Sequence, residues 1–402
     1  MLTKIINISK IYSWNPNLNT LEIRNNQQIL IDNNKIKKID SNITDQVDKV
    51  IDAENCIATP GFIDSHTHPI FMGTRANEFI MRLNGKSYDE IKKSGGGILS
   101  SIKNVREASF EELYISSMNN ISPFIHYGTT TLEAKSGYGL TLDDELKSLR
   151  VIKKINEDLD IDIISTFLGA HAIPEEYTAD NYVNLICNEM IPVIAEEKLA
   201  VFCDVFCEDG YFNINQSKKI LNTAKSFGLT PRVHADEFKY FGASKLAVDV
   251  GAASADHLMV INDEGIEALS SSNVIATLLP GTTFFLNKKD YANGRKLIDN
   301  NCNVSIASDF NPGTCTIRSL SSIMFLSMQN CGLTLEESFL GVTYNAAKSL
   351  LRSKEIGLID ENYLADLILW DIDDLCEIPY WHDSAETKIS KVFKAGSISY
   401  AK

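Results

Sequence analysis

Three observations predict a distorted (β/α)8 TIM-like barrel carrying a small β-sandwich domain built from both termini. Short apolar, β-branched runs recur through the middle of the chain, separated by longer amphipathic stretches. Nearly every such run ends, at its C-terminal edge, in a residue able to do chemistry, and barrel active sites lie at that end of the strands. Residues 1–58 and 353–402 have a different, strand-rich texture and flank that middle. The expected division is 1–58 and 353–402 for the sandwich and 59–352 for the barrel.

Taken in order, Ile29-Leu30-Ile31 and Ile36-Lys37-Lys38-Ile39 flank Asp32-Asn33-Asn34-Lys35, which reads as a hairpin around an Asn-rich turn. The barrel strands are expected at Ile57–His68, Thr129–Lys135, Asp162–His171, Ala200–Glu208, Pro231–Asp236, Ala253–His257, Asn273–Leu279 and Asn303–Asp309. Helical patterns fall between them, at Asp143–Glu157, Asn181–Glu197, Gln216–Phe227 and Lys239–Val250. Beyond the barrel, Ala365–Trp370 and Val392–Gly396 return to strand texture. No internal repeat and no low-complexity segment interrupts this plan.

Composition narrows the function. The chain has 402 residues, 44% hydrophobic and 23% charged, enough for a sizeable core. A formal net charge of −15 and the lack of a basic stripe argue against a nucleic-acid partner. No run approaches a membrane span, and the N-terminus lacks the pattern of a signal peptide. The eight scattered cysteines then read as reduced thiols, mostly in the core.

Histidines mark the site. Of the seven, His66, His68, His171, His234 and His257 end a candidate strand. His126, on a helical pattern, reads as structural, and His382, in the tail, as solvated. In a strand, side chains two apart share a face, so His66 and His68 present two imidazoles together. His234 supplies a third and Asp309 a carboxylate, a set that suits one catalytic zinc or iron(II) with a position left for water. Each has a blander reading: a polar strand end, a core histidine, a turn cap before Asn311-Pro312-Gly313. Their fall on separate strand ends favours the metal. Such an ion lowers the pKa of its water to about 7. Glu237, three residues past His234, is the candidate proton shuttle rather than a mere helix-start carboxylate. His257 is placed to polarise a carbonyl.

The segment after the first barrel strand, roughly 69 to 110, reads as a long lid or binding loop. It carries Gly73-Thr74-Arg75, Tyr88 and Gly95-Gly96-Gly97. Arg75 suggests a substrate carboxylate, although a surface salt bridge would also use it. Tyr138, after the second strand, is in reach of the pocket, and His171 ends the third. Gly281-Thr282-Thr283 and Gly313-Thr314 offer backbone donors near the mouth.

Phe62-Ile63-Asp64-Ser65-His66-Thr67-His68 resembles the opening metal motif of the amidohydrolase superfamily. The finer resemblance, over nearly the whole chain, is to the imidazolonepropionase family. It rests on Gly73–Phe79, Gly95–Ile98, Gly128–Gly139, Phe167–His171, His234–Glu237, Ala255–Leu258, Leu278–Phe284 and Ser308–Gly313. Lys135-Ser136-Gly137-Tyr138-Gly139 and the Gly-Thr-Arg loop are its most specific parts. Ser101–Arg106 is looser than that family's usual pattern. The resemblance implies metal ligation by His66, His68, His234 and Asp309, and catalytic roles for Glu237, His257 and Asp309. It implies substrate contacts from Arg75, Tyr88, Tyr138, His171, Glu237, Asn311, Gly313 and Thr314. It also implies a cytoplasmic homodimer that opens the ring amide of a small molecule, 4-imidazolone-5-propanoate, to give N-formimino-L-glutamate. Three rivals stand beside it: a deaminase of the same superfamily, a binuclear hydrolase bridged by carbamylated Lys135, and a non-catalytic scaffold. A deaminase has no use for a carboxylate clamp, and a scaffold would be free to lose ligands.

Overall fold

The computed structural model describes residues 1–86, 90 and 95–402. In the N-terminal part, β1 (Leu2–Asn15), β2 (Thr20–Asp32), β3 (Lys35–Asp40), β4 (Lys49–Asp52) and β5 (Ile57–Pro60) form one mixed sheet with three strands from the far end of the chain. Asp32 pairs with Lys35 and Ile31 with Ile36, so the expected hairpin is present, with Asn33 in the left-handed conformation its turn needs. A bulge between Ile5 and Ile8 lets β1 pair β4 through its first half and β5 through its second. The expected sandwich is therefore one continuous sheet, and Ile5, Ile29, Ile51, Leu367 and Phe393 pack into its core.

The stretch expected to be a single strand over Ile57–His68 is two strands in two sheets. β5 pairs across to Leu367–Trp370, whereas β6 (Phe62–Asp64) opens the barrel. The switch falls at Pro60-Gly61, where proline withholds a ladder donor. A Cβ at Gly61 would lie 2.3 Å from Thr130 Oγ1, so only glycine fits the crossing.

The barrel continues through β7 (Thr129–Lys135), β8 (Asp162–Ala170), β9 (Phe202–Cys207), β10 (Thr230–Ala235), β11 (Ser254–His257), β12 (Ile275–Leu278) and β13 (Val304–Ile306), all parallel and in sequential order. Helices follow the strands, for example Leu142–Asp158, Ile214–Ser226 and Ala243–Val250, as right-handed βα units require. The helix from Ala179 to Glu196 contains a π turn at Ile186–Met190, next to Pro192, which has no N–H to continue the ladder. The far-end strands β14 (Leu367–Trp370), β15 (Ile389–Lys394) and β16 (Ser397–Ala401) complete the first sheet.

Closure of the barrel is local and lies past the ends of β6 and β13. Thr67 bridges Phe310 in parallel, Asp309 N donates to the His66 carbonyl at 3.0 Å, and His68 N donates to that of Phe310 at 2.8 Å. Asp64 accepts the Ser308 N–H at 3.0 Å beneath them.

Among its described residues, the segment expected as one long loop carries helices at Ala76–Leu83 and Ile98–Glu107, and the helix Phe110–Ile121 follows it. Gly97 starts the second of these with φ 80°, a conformation that costs glycine little. Tyr88 lies outside the described residues. Among the described residues every cysteine is unpaired, with Cys376 alone exposed, and no helix is long and apolar enough to cross a membrane.

Candidate active site

His66 and His68 sit beyond β6 rather than in it, yet the near-extended chain there keeps their rings on one side. Their Nε2 atoms are 3.2 Å apart, and His234 Nε2, from the end of β10, is 3.4 Å from His68 Nε2. Asp309 Oδ1 lies 3.4 Å from His68 Nε2 and 3.7 Å from His66 Nε2. All four side chains are buried. Ligand bonds of about 2.0–2.1 Å to a tetrahedral ion put neighbouring donors about 3.3–3.4 Å apart. The spacing fits, and so does the chemistry, because converging lone pairs repel unless a cation sits among them. His257 adds a further donor, within 4.8 Å of those of His66 and His234.

Buried carboxylates aim these rings. His66 Nδ1–H donates to Asp256 Oδ2 at 2.8 Å, leaving Nε2 with its lone pair. Arg232 holds the same oxygen at 3.2 Å and also donates to the Ser65 and Ser349 carbonyls. His234 Nδ1 lies 3.0 Å from Asp204 Oδ2, which Lys135 Nζ approaches to 2.9 Å while bonding Glu133 at 2.7 Å. Alternation along β7 and β10 puts Glu133 with Lys135, and Arg232 with His234, on the inner face. Sequence reasoning missed Asp204, Asp256, Arg232 and the pairing of Lys135. The available signal was a charge inside an apolar strand, as in Phe202-Cys203-Asp204-Val205-Phe206.

Burial also sets protonation. Burial and then the Lys135 charge push His66 well below the usual histidine range; His68 and His257 follow for the same first reason, and His171 falls to about 3. Neutral imidazole is the form a metal accepts. Burial alone would lower Lys135, but Asp204 and Glu133 hold its ammonium above the ordinary value. Held between those two carboxylates, Lys135 is their counter-charge. Burial raises Asp309 to about 6, and the Thr282 hydroxyl donates to its carboxylate. Burial, then Asp309, raises Glu237 well above the carboxylate range; its Oε2 is 3.7 Å from His257 Nε2.

His257 and Asp309 reach the centre from left-handed backbone, with φ of 79° and 52°, and Asp236, next to Glu237, is left-handed too, at 49°. Alternation would send His257 away from Asp256; the turn brings it back. Asp236 accepts N–H groups of Phe241, Ala243 and Ser244, and Glu208 accepts that of Phe238 at 2.9 Å, so these strand-end acids fix the turn that bears Glu237.

Above the donors opens a cavity of about 560 Å³. His68, Arg75, Tyr138, His171, Glu237 and Thr314 face it. His171 stacks on His68 with ring centres 5.1 Å apart, and its Nδ1–H donates to the Gly137 carbonyl at 3.0 Å. Arg75 spends Nε and Nη2 on Glu78 Oε2, at 2.9 and 2.8 Å, which leaves Nη1. The Asn311 side chain is used within its own turn: it accepts the Gly313 and Thr314 N–H groups and donates to the Asp309 carbonyl. Gly281-Thr282-Thr283 lies in the first turn of the helix Pro280–Phe285, where the Thr282 N–H is taken by the Leu279 carbonyl. Away from the site, His126 is exposed beside Tyr400, and His382, expected to be solvated, is half-buried and stacks on Phe325 at 4.2 Å. Arg82, Lys86 and Lys288, none anticipated, also line the cavity.

Residues 216–399 match the amidohydrolase family. The whole chain is 42% identical to an imidazolonepropionase of Clostridium tetani over 394 residues, 96% of this chain and 93% of that protein. It is 44% identical to one from Kosmotoga olearia, with 98% of each covered. Among solved structures, E. coli guanine deaminase superposes with a TM-score of 0.76 at 14% identity over 100% of this chain and 99% of that one, a likeness of fold.

Proposed function

We infer the reaction from one premise: the chain belongs to the imidazolonepropionase family of amidohydrolases. It hydrolyses the ring amide C–N bond of 4-imidazolone-5-propanoate to N-formimino-L-glutamate, in histidine catabolism. The observation that carries this reading within the molecule is one cavity with converging imidazole and carboxylate donors on its floor and an arginine at its rim.

His66, His68, His234 and Asp309 would hold one divalent ion per chain, zinc or iron(II). Bound there, the ion supplies positive charge that polarises the ring carbonyl and acidifies a water molecule. Water adds its oxygen to the carbonyl carbon, the C–N bond breaks, and the proton must reach the departing nitrogen. Glu237 moves that proton, with Asp309 as its neighbour. His257, 3.7 Å from Glu237, steadies the charge that develops on the carbonyl oxygen. Arg75 takes the propionate carboxylate, with Tyr138 and His171 beside the ring and the Asn311–Thr314 turn as a shelf. The protein is further proposed to act as a cytoplasmic homodimer.

The test is an assay and a metal determination on one sample. Freshly made imidazolonepropionate is given to wild type and to His234→Ala, and loss of the ring chromophore is followed. Ring loss by wild type alone, with about one ion per chain, is the expected result. A persistent ring with metal bound overturns the substrate and brings a deaminase forward.

A further inference from the structure

Two glycine peptides at the lips of the cavity are held at both polar ends. Gly313 N donates to Asn311 Oδ1 at 2.8 Å, and its carbonyl accepts Nη1 and Nη2 of Arg82, both at 3.1 Å. Gly139 N donates to the buried Glu145 carboxylate at 2.9 Å, and its carbonyl accepts Arg106 Nε at 2.7 Å. The two arginines come from different helices of the segment after β6, Ala76–Leu83 and Ile98–Glu107. One grips the turn beneath Arg75, the other the loop that bears Tyr138.

The local packing makes each grip matter. A Cβ at Gly313 would fall 2.1 Å from Arg75 Nη1, so the Arg75 guanidinium rests directly on that peptide. Arg75, Glu78 and Arg82 follow at helical spacing along one face, so Arg82 sets where the helix, and with it Arg75, meets the turn. On the other lip, Lys147 Nζ donates to the Val105 and Ala108 carbonyls and so ties the end of the Arg106 helix to the helix that carries Glu145. The peptide of Gly139 is thus fixed from two joined elements, and Tyr138 next to it inherits that position. Arg106 Nη1 also bonds Glu176, in the loop after His171.

We propose that Arg82 and Arg106 are a pair of positioning residues that fix the opposite lips of the substrate cavity, Arg82 acting through Arg75 and Arg106 through Tyr138. The inference rests on the proposed substrate reading and deepens it. Neither arginine touches the donors on the floor.

Arg82→Ala and Arg106→Ala are compared with wild type in KM, kcat and bound metal, and in the Kd of imidazolepropionate, a carboxylate-bearing analogue that lacks the scissile amide. Each variant is expected to raise KM and Kd about tenfold, the scale of one charged hydrogen bond, with kcat and metal content unchanged. Arg82→Ala should add nothing in an Arg75→Ala background, nor Arg106→Ala in a Tyr138→Ala background. Arg82→Lys, which keeps charge but not the two-pronged grip, should recover only part of the loss. Additive effects would make the arginines direct contacts and overturn the proposal, as would unchanged KM and Kd with turnover intact. A wild type that binds the analogue without turning over substrate defeats the reaction and leaves the Kd shifts to judge the arginines. One that does neither defeats both.

Discussion

The floor of the cavity and its lips hold their side chains by different means. On the floor, His66 and His234 are aimed by Asp256 and Asp204, fully buried acids inside the barrel, which are in turn balanced by Arg232 and Lys135. At the lips, Arg75 lies on the Gly313 peptide and Tyr138 precedes Gly139, and both glycines are braced by arginines from helices outside the ring of strands. Removing one partner of a buried ion pair leaves a charge stranded in low dielectric. Removing a brace at a partly exposed lip loosens one loop. The floor should therefore govern metal and chemical rate, and the lips substrate affinity.

The hardest test of that division is His234→Ala. It should strip the metal and lower turnover by about 10³-fold or more while the circular dichroism stays folded. Retained metal would break the assignment of the floor. Next in size is Asp204→Asn, which leaves His234 without its carboxylate and Lys135 with Glu133 alone. Metal affinity, read by competition with a chelator, is expected to fall about 10–100-fold, with a lower Tm. At the lips, Arg75→Ala should raise KM about 10–100-fold and leave kcat near wild type. A lip variant that lost metal, or a floor variant that moved KM alone, would erase the distinction.

The smallest effect concerns His171, which bridges the two regions. Its folded pKa is about 3, against about 6.5 in an unfolded chain. Between those values the unfolded chain binds a proton that the folded one refuses. Stability from this residue is thus full above about pH 6.5 and lost as pH falls toward 3. In metal-free protein, His171→Gln should flatten the fall of unfolding free energy by up to about 1.4 kcal/mol per pH unit in that window. Urea titrations at several pH values measure it.

Much of the floor was legible in the sequence because strand-end residues need no partner to be noticed. The spacing of His66 and His68, and the fall of His234, His257 and Asp309 on separate strand ends, already pointed to one face of a barrel. The ions beneath them were not legible. Lys135 meets Asp204, and Arg232 meets Asp256, through the register of neighbouring strands, which no single stretch reveals. The lips were misread for another reason. The glycine run at 95–97 is a turn, as its composition suggested, but the helix that follows it from Ile98 was not foreseen. Arg82 and Arg106 drew no reading because the carbonyls they grip lie in other segments of the chain. The break at Pro60-Gly61 was visible as residue types but not as a change of sheet.

The seam of the barrel has a consequence for how this protein comes into being. Asp309 N bonds the His66 carbonyl and His68 N that of Phe310, so the first and last barrel segments meet at the metal donors themselves. Asp64 and Ser308, which join just below, are 244 residues apart in sequence. During synthesis the ribosome has to release nearly the whole barrel before the fourth donor exists. A nascent chain shorter than that carries the histidines without Asp309, so the proposed ion site is complete only once the last barrel strand has been made, and an ion bound there would tighten the joint that the strand order leaves open.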